Sequence, residues 1–175
     1  MLSTSGTQKF VRRFAKLTLN RNRLRHFSSL GDDNRKDVVG FLGLGNMGLP
    51  MALNLAKTRH VIAFDPSTVA LDKAMEGGVM KCDSVYDVGK EASIIVTMLP
   101  GCDFVNSVMK PLVDASKDKK TLFVDCSTVS PTTSRYWHEK VSEDGHEMYA
   151  SPSSGNKSLT SIKRFVIVGC TSRTN

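Results

Sequence analysis

No apolar run in this 175-residue sequence approaches the roughly 18 residues that a membrane-spanning helix needs, so no segment reads as a span. Cysteines are few and far apart: Cys82, Cys102, Cys126 and Cys170 share no Cys-x-x-Cys or Cys/His spacing. That speaks against both a zinc site and a disulfide framework, and each thiol reads as a small core or strand-end residue in a reducing compartment. Acids are missing from residues 1–31 altogether, while Lys9, Arg12, Arg13, Lys16, Arg21, Arg23 and Arg25 stand there. Those seven account for the whole net charge of +7, because the 24 basic residues less these seven equal the 17 acidic ones. A neutral body behind a basic leader does not read as a nucleic-acid binder.

The leader is rich in Arg, Ser and Thr, with Phe10, Phe14 and Leu17 at helical spacing. An amphipathic mitochondrial transit peptide has this pattern. Arg25-His26-Phe27-Ser28-Ser29 also resembles a matrix-processing site, with cleavage near Phe27. Residues 1–31 are therefore set apart from the fold, and the mitochondrial matrix is the expected location. A plastid address and a basic arm on an acidic surface are the alternatives. The remaining length can bury one sizeable core, expected over 36–170, with 171–175 as an irregular tail.

That core is organised around Val38–Pro50. An apolar run leads into Gly43-x-Gly45-x-x-Gly48, and a helix-forming segment follows at once. A dinucleotide site requires this order. Gly43 allows a sharp turn out of the strand, Gly45 lets the backbone approach a pyrophosphate, and Gly48 allows close helix–strand packing. Leu44, Asn46 and Met47 complete the loop, whose free N–H groups face the phosphates at the positive end of a helix dipole. His60–Asp65 reads as the second strand, and Asp65 falls 22 residues after Gly43 at its carboxyl end. An acid there accepts hydrogen bonds from the adenine ribose and repels a 2′-phosphate, which favours NAD over NADP. Turn formation before Pro66 is the plainer reading of the same residue.

Strand and helix signals then alternate. A helix over Ser67–Glu76 stops at Gly77-Gly78, a short strand covers Val79–Cys82, and Ser84-x-x-Asp87 opens another helix. Ser93–Met98 is the fourth strand, followed by the Leu99-Pro100-Gly101 loop and a helix within Asp103–Ala115, interrupted near Pro111. Thr121–Asp125 is the fifth strand. Ser130 is the expected N-cap of a helix from Pro131 that carries Trp137 and Val141 on one face, and Ser127 and Thr128 read equally as caps. His138, among polar neighbours, reads as solvated. His146–Ala150 and Phe165–Val168 read as further strands. Repeated strand–helix units with these crossover lengths predict an α/β fold, a Rossmann-type doubly wound, mostly parallel sheet.

Three separately placed stretches carry a family resemblance. Phe41-Leu42-Gly43-Leu44-Gly45-Asn46-Met47-Gly48-Leu49-Pro50-Met51-Ala52 closely resembles the amino-terminal signature of the 3-hydroxyisobutyrate dehydrogenases, within the β-hydroxyacid dehydrogenase family. Thr97-Met98-Leu99-Pro100 and Asp125-Cys126-Ser127-Thr128-Val129-Ser130-Pro131 agree with it in order and position. The resemblance covers about residues 38–155. It implies NAD as cofactor, with Leu99 and Pro100 lining the groove and Thr128 near the nicotinamide. It also implies a small 3-hydroxy acid as substrate, oxidised to methylmalonate semialdehyde in valine breakdown, and a homo-oligomer.

The departures are as specific. The family's Asp-Ala-Pro-Val-Ser-Gly-Gly stands here as Ala150-Ser151-Pro152-Ser153-Ser154-Gly155-Asn156, so of the implied substrate contacts Ser127, Ser154 and Gly155 are kept while the second glycine is Asn156. Phe104 stands where the family has an Asn or His near the cofactor, unless the loop brings Asn106 there. The family's catalytic lysine belongs to an all-helical second domain that the resemblance places beyond Asn175, and Lys157 and Lys163 match no motif. No catalytic residue and no metal ligand is expected in this chain, which is expected to hold the cofactor half of an enzyme and to be inactive alone. A non-catalytic NAD-binding module is one alternative. A reductase of glyoxylate or succinic semialdehyde is another, opposed by Asp65.

Overall fold

The computed structural model describes residues 38–151, and the expected transit peptide, the expected strand Phe165–Val168, Ser154, Gly155 and the tail lie outside them. Six parallel strands form one sheet: β1 (Val39–Leu42), β2 (Val61–Phe64), β3 (Met80–Lys81), β4 (Ile94–Thr97), β5 (Leu122–Asp125) and β6 (Glu147–Ala150), in the order β3-β2-β1-β4-β5-β6. Every adjacent pair is parallel, with Leu42 opposite both Phe64 and Thr97, and Thr97 opposite Asp125. Helices α1 (Gly48–Ala56), α2 (Thr68–Glu76), α3 (Val85–Glu91), α4 (Cys102–Ala115) and α5 (Pro131–Glu143) make the crossovers.

The inner strands β1, β2, β4 and β5 are apolar because both faces are covered, whereas the edge strand β3 is exposed at both residues. Val39, Phe41, Val61, Ala63, Ile94 and Val96 pack with Met51, Ala52, Leu71 and Ala74 of α1 and α2. On the opposite face, Leu42, Ile62, Ile95 and Phe123 pack with Val88, Val105, Met109, Leu112, Trp137 and Val141 of α3, α4 and α5. Each fully buried side chain of this size contributes about 1.5–3 kcal/mol of transfer free energy. The chain order reverses direction across the sheet between β1 and β4. The crevice at their carboxyl ends is where a doubly wound sheet receives a ligand.

Local chemistry fixes the helix starts. Ser67, Ser84 and Ser130 each accept a backbone N–H three residues on, and Ser84 also donates to the Asp87 carboxylate at 2.6 Å. Pro111 does not interrupt its helix: α4 runs unbroken over 14 residues with the proline inside. The N–H that Pro111 lacks would have met the carbonyl of Ser107, which lies on the exposed side, where water can take its place. Cys82 and Cys126 are buried as expected, whereas Cys102 is half exposed in the first turn of α4 and belongs to neither core nor strand end. His138 is partly buried, not freely solvated. Met51 lies in the core while Met47 remains half exposed.

Candidate functional site

The three glycines stand where three different constraints meet. Gly43 turns out of β1 with φ +90°, and a Cβ there would collide with the Met98 carbonyl, so the loop seats directly against the end of β4. At Gly48 an added Cβ would run into the Gly43 carbonyl, which leaves no room for any side chain between α1 and the strand it follows. Gly45 is different: its Cβ position faces open space and the residue is exposed. The first two glycines serve the packing of the loop, and the third leaves its surface bare for a ligand.

The loop is also electrically prepared. α1 has Met47 at its N-cap with no side-chain cap, and its first turn carries no acid. The Leu49 N–H turns back to the Gly45 carbonyl at 3.1 Å and Pro50 has none, which leaves the Gly48 N–H and the loop before it at the positive end of the dipole. α2, α3 and α5 fill the same positions with serine hydroxyls. An anion fits at α1 without displacing any protein group, and a pyrophosphate meets the same requirement.

Asp65, at the end of β2, closes one side. Its Oδ2 accepts the Leu44 N–H at 2.6 Å and its Oδ1 accepts the Ser67 N–H at 2.8 Å. The carboxylate thus holds the glycine loop and the start of α2 together. An ionised carboxylate offers about four acceptor sites, so two remain for ribose hydroxyls. Between the loop and α2 lies an open cleft of about 290 Å³, lined by Leu44, Gly45, Asn46, Leu49, Ser67 and Lys73 among others. Lys73 is a contributor that sequence reasoning missed. Nothing in a helical lysine pattern distinguishes one that borders a cleft from one that only meets solvent.

The other half of the crevice is built from the loops after β4 and β5. Leu99 is half buried, and Pro100 and Thr128 are exposed. Ser127 is 2% exposed and caps no helix; its Oγ accepts the Leu99 N–H at 2.9 Å. Its hydroxyl oxygen thus supports the loop after β4. Asp125, also 2% exposed, accepts the Thr97 hydroxyl at 2.8 Å and the Ser127 N–H at 3.0 Å. Burial pushes the Asp125 carboxyl above its ordinary range, against the opposing pull of the Ser127 and Thr97 hydrogen bonds. Cys102 Sγ accepts the Ser130 N–H at 3.3 Å, and that bond holds its thiol below the ordinary range. The Asn106 Oδ1 accepts the Trp137 Nε1–H at 2.7 Å, tying α4 to α5. Phe104 is 56% exposed.

No group of three or more His, Cys, Asp or Glu side chains positioned to hold a metal ion occurs among the described residues. The site brings together a bare loop, a helix start, the Asp65 carboxylate and two facing loops. The residues at 98–102 and 126–130 include no Lys or His to move a proton.

Comparison with known proteins agrees with this geometry. The family of the NAD binding domain of 6-phosphogluconate dehydrogenase matches residues 38–174. A probable 3-hydroxyisobutyrate dehydrogenase of Mycobacterium tuberculosis is 37% identical over 119 residues, covering 67% of this chain and 40% of that protein. The mitochondrial 3-hydroxyisobutyrate dehydrogenase of Drosophila melanogaster is 34% identical over 118 residues, covering 67% and 36%. Among solved structures, Mycobacterium tuberculosis 3-hydroxyisobutyrate dehydrogenase with L-serine superposes with a TM-score of 0.68 at 33% identity, over 71% of this chain and 43% of that one. The chain thus spans about 40% of the length of the relatives it matches.

Proposed function

Because the chain belongs to the family of the NAD binding domain of 6-phosphogluconate dehydrogenase, we propose that it binds NAD and forms the cofactor half of a dehydrogenase for a small 3-hydroxy acid. The favoured substrate is 3-hydroxyisobutyrate, oxidised to methylmalonate semialdehyde in valine breakdown. One observation carries the reading. The Gly43–Gly48 loop is bare at Gly45, and it is held by Asp65 at the end of the neighbouring strand.

In this reading the N–H groups of Gly45, Asn46, Met47 and Gly48 bind the pyrophosphate. Leu44 packs below it. Asp65 accepts the adenine ribose hydroxyls and its charge disfavours a 2′-phosphate. Leu99 and Pro100 line the second half of the groove on one side, and Thr128 borders it on the other. NAD, when bound, supplies the acceptor for the hydride from the alcohol carbon. This chain's residues hold that acceptor in place and shield one side of it.

Proton transfer from the alcohol and a closed substrate pocket need groups that 98–102 and 126–130 do not contain. Ser154 and Gly155 remain candidates for the substrate carboxylate, and Ser127 serves the loops instead. The proposed location is the mitochondrial matrix, supported by the acid-free amphipathic leader and by the Drosophila relative named as mitochondrial.

The test is an equilibrium titration with NAD and NADP, followed by an assay for NADH on adding 3-hydroxyisobutyrate. Preferred NAD binding without turnover is the expected result. Tighter NADP binding would sink the cofactor assignment, and robust turnover by the 175 residues would sink the division of labour.

A further inference from the structure

Asp125 is a buried carboxylate that the cofactor reading leaves without a task. We propose that Asp125 is a positioning residue for the second half of the dinucleotide: through Ser127 it fixes the Leu99-Pro100 turn. The inference rests on the NAD reading and deepens it.

Thr97 and Asp125 end neighbouring strands in register, each 2% exposed. Beyond them the chains part into the two loops that flank the crevice, where no sheet bond restrains Leu99. Its N–H donates to Ser127 Oγ at 2.9 Å. Ser127 is held in turn by its own N–H, which donates to Asp125 Oδ1 at 3.0 Å, and the same oxygen takes the Thr97 hydroxyl at 2.8 Å. The ties run from Leu99 to the Ser127 side chain and from the Ser127 backbone to Asp125.

An amide at position 125 removes the charge that strengthens the bonds from the Ser127 N–H and the Thr97 hydroxyl. A carboxylate buried at this depth costs stability unless its oxygens are hydrogen-bonded, and this one gathers two donors from two strand ends. Met98 is held separately, by its N–H on the Leu42 carbonyl at 2.9 Å, and its carbonyl lies against Gly43 beside the Leu99 side chain. The glycine loop keeps its own ties to Met98 and Asp65, so a change at Asp125 reaches it only through that side chain, whereas the Leu99 backbone turn loses its support directly. Cys102 and Ser130 make a second tie between the same loops further out.

The experiment uses the 175-residue chain with Asp125→Asn, Ser127→Ala and the double substitution. Affinity is measured for NADH and, by competition, for ADP, which carries only the adenosine half and the pyrophosphate. Each single variant is expected to lose about tenfold in NADH affinity, the scale of a lost charge-assisted bond, with ADP affinity held within about twofold. The double variant is expected to lose no more than the larger single loss, since both sit on one route. Ser127→Ala is close to isosteric and carries the test if Asp125→Asn does not fold. Equal losses for NADH and ADP, or unchanged NADH affinity, would overturn the inference while leaving the NAD site intact. Wild-type protein that binds neither ligand would overturn the cofactor reading itself, and this inference with it.

Discussion

Leu44 and Asp65 are joined by a 2.6 Å hydrogen bond from the Leu44 N–H to the Asp65 carboxylate, across 21 residues of chain. The acid at the end of β2 is thus part of the glycine loop's own support, beside its proposed contact with the adenine ribose. Asp65→Asn removes one of the oxygens that hold Leu44 and Ser67, along with the charge that faces a 2′-phosphate. The expected outcome is a loss of NAD affinity of about tenfold and a narrowed preference over NADP, read by equilibrium titration. Unchanged affinity for both cofactors would count against a ribose role.

Gly45 and Gly48 separate cofactor contact from folding. A methyl group at Gly48 meets the Gly43 carbonyl, so Gly48→Ala is expected to cost about 1–3 kcal/mol of stability, measured by urea denaturation. At Gly45 a methyl group meets open space, so Gly45→Ala is expected to fold as well as the parent and to bind NAD more weakly. The reverse pattern would contradict the assignment of the two positions.

Cys102 is expected to be the first described thiol to react with iodoacetamide. The Ser130 N–H holds its thiol below the ordinary range, whereas burial pushes Cys82 up to about 11 and Cys126 up to about 12. The thiolate is the nucleophile, so rate follows this order. Peptide mapping of a time course reads it directly; early labelling of Cys82 or Cys126 in native protein would be inconsistent with the buried core.

His146 makes stability depend on pH. It is buried, its Nδ1 accepts the Thr121 N–H at 3.3 Å, and its Nε2 has no partner among the described residues. Burial lowers its pKa, opposed by the charge of Asp144 and reinforced by that of Lys119. The unfolded chain therefore binds the proton first, and stability falls as pH drops below about 6.5 until the folded-state pKa is passed. Above that window the imidazole is neutral in both states and contributes no slope. Urea midpoints across this range are expected to fall more steeply for the parent than for His146→Gln, whose amide oxygen can still accept the Thr121 N–H. Parallel slopes would remove His146 as the cause.

Much of this was legible in the residues. Apolar runs ending in Gly43 and Asp65 located β1 and β2, and Ser67, Ser84 and Ser130 marked helix starts because capping is a local interaction. Pro111 misled because its effect depends on whether the carbonyl it leaves behind can reach water, which is set by tertiary placement. The roles of Ser127 and Asn106 were illegible for a similar reason. Their partners, Leu99 and Trp137, lie 28 and 31 residues away. A serine's sequence context does not say whether its hydroxyl faces a ligand or another loop. Lys73 was missed because the cleft it borders exists only once α2 packs beside the glycine loop.

The central claim is that Gly43–Gly48 is the pyrophosphate cradle of an NAD site. An NMR titration of backbone amides with NAD tests it most directly. The account predicts saturable shifts concentrated at Gly45, Asn46, Met47 and Gly48, with Leu99 and Thr128 responding to the whole dinucleotide and far less to ADP. Shifts that do not saturate, or that saturate elsewhere on the surface and spare these amides, would contradict it.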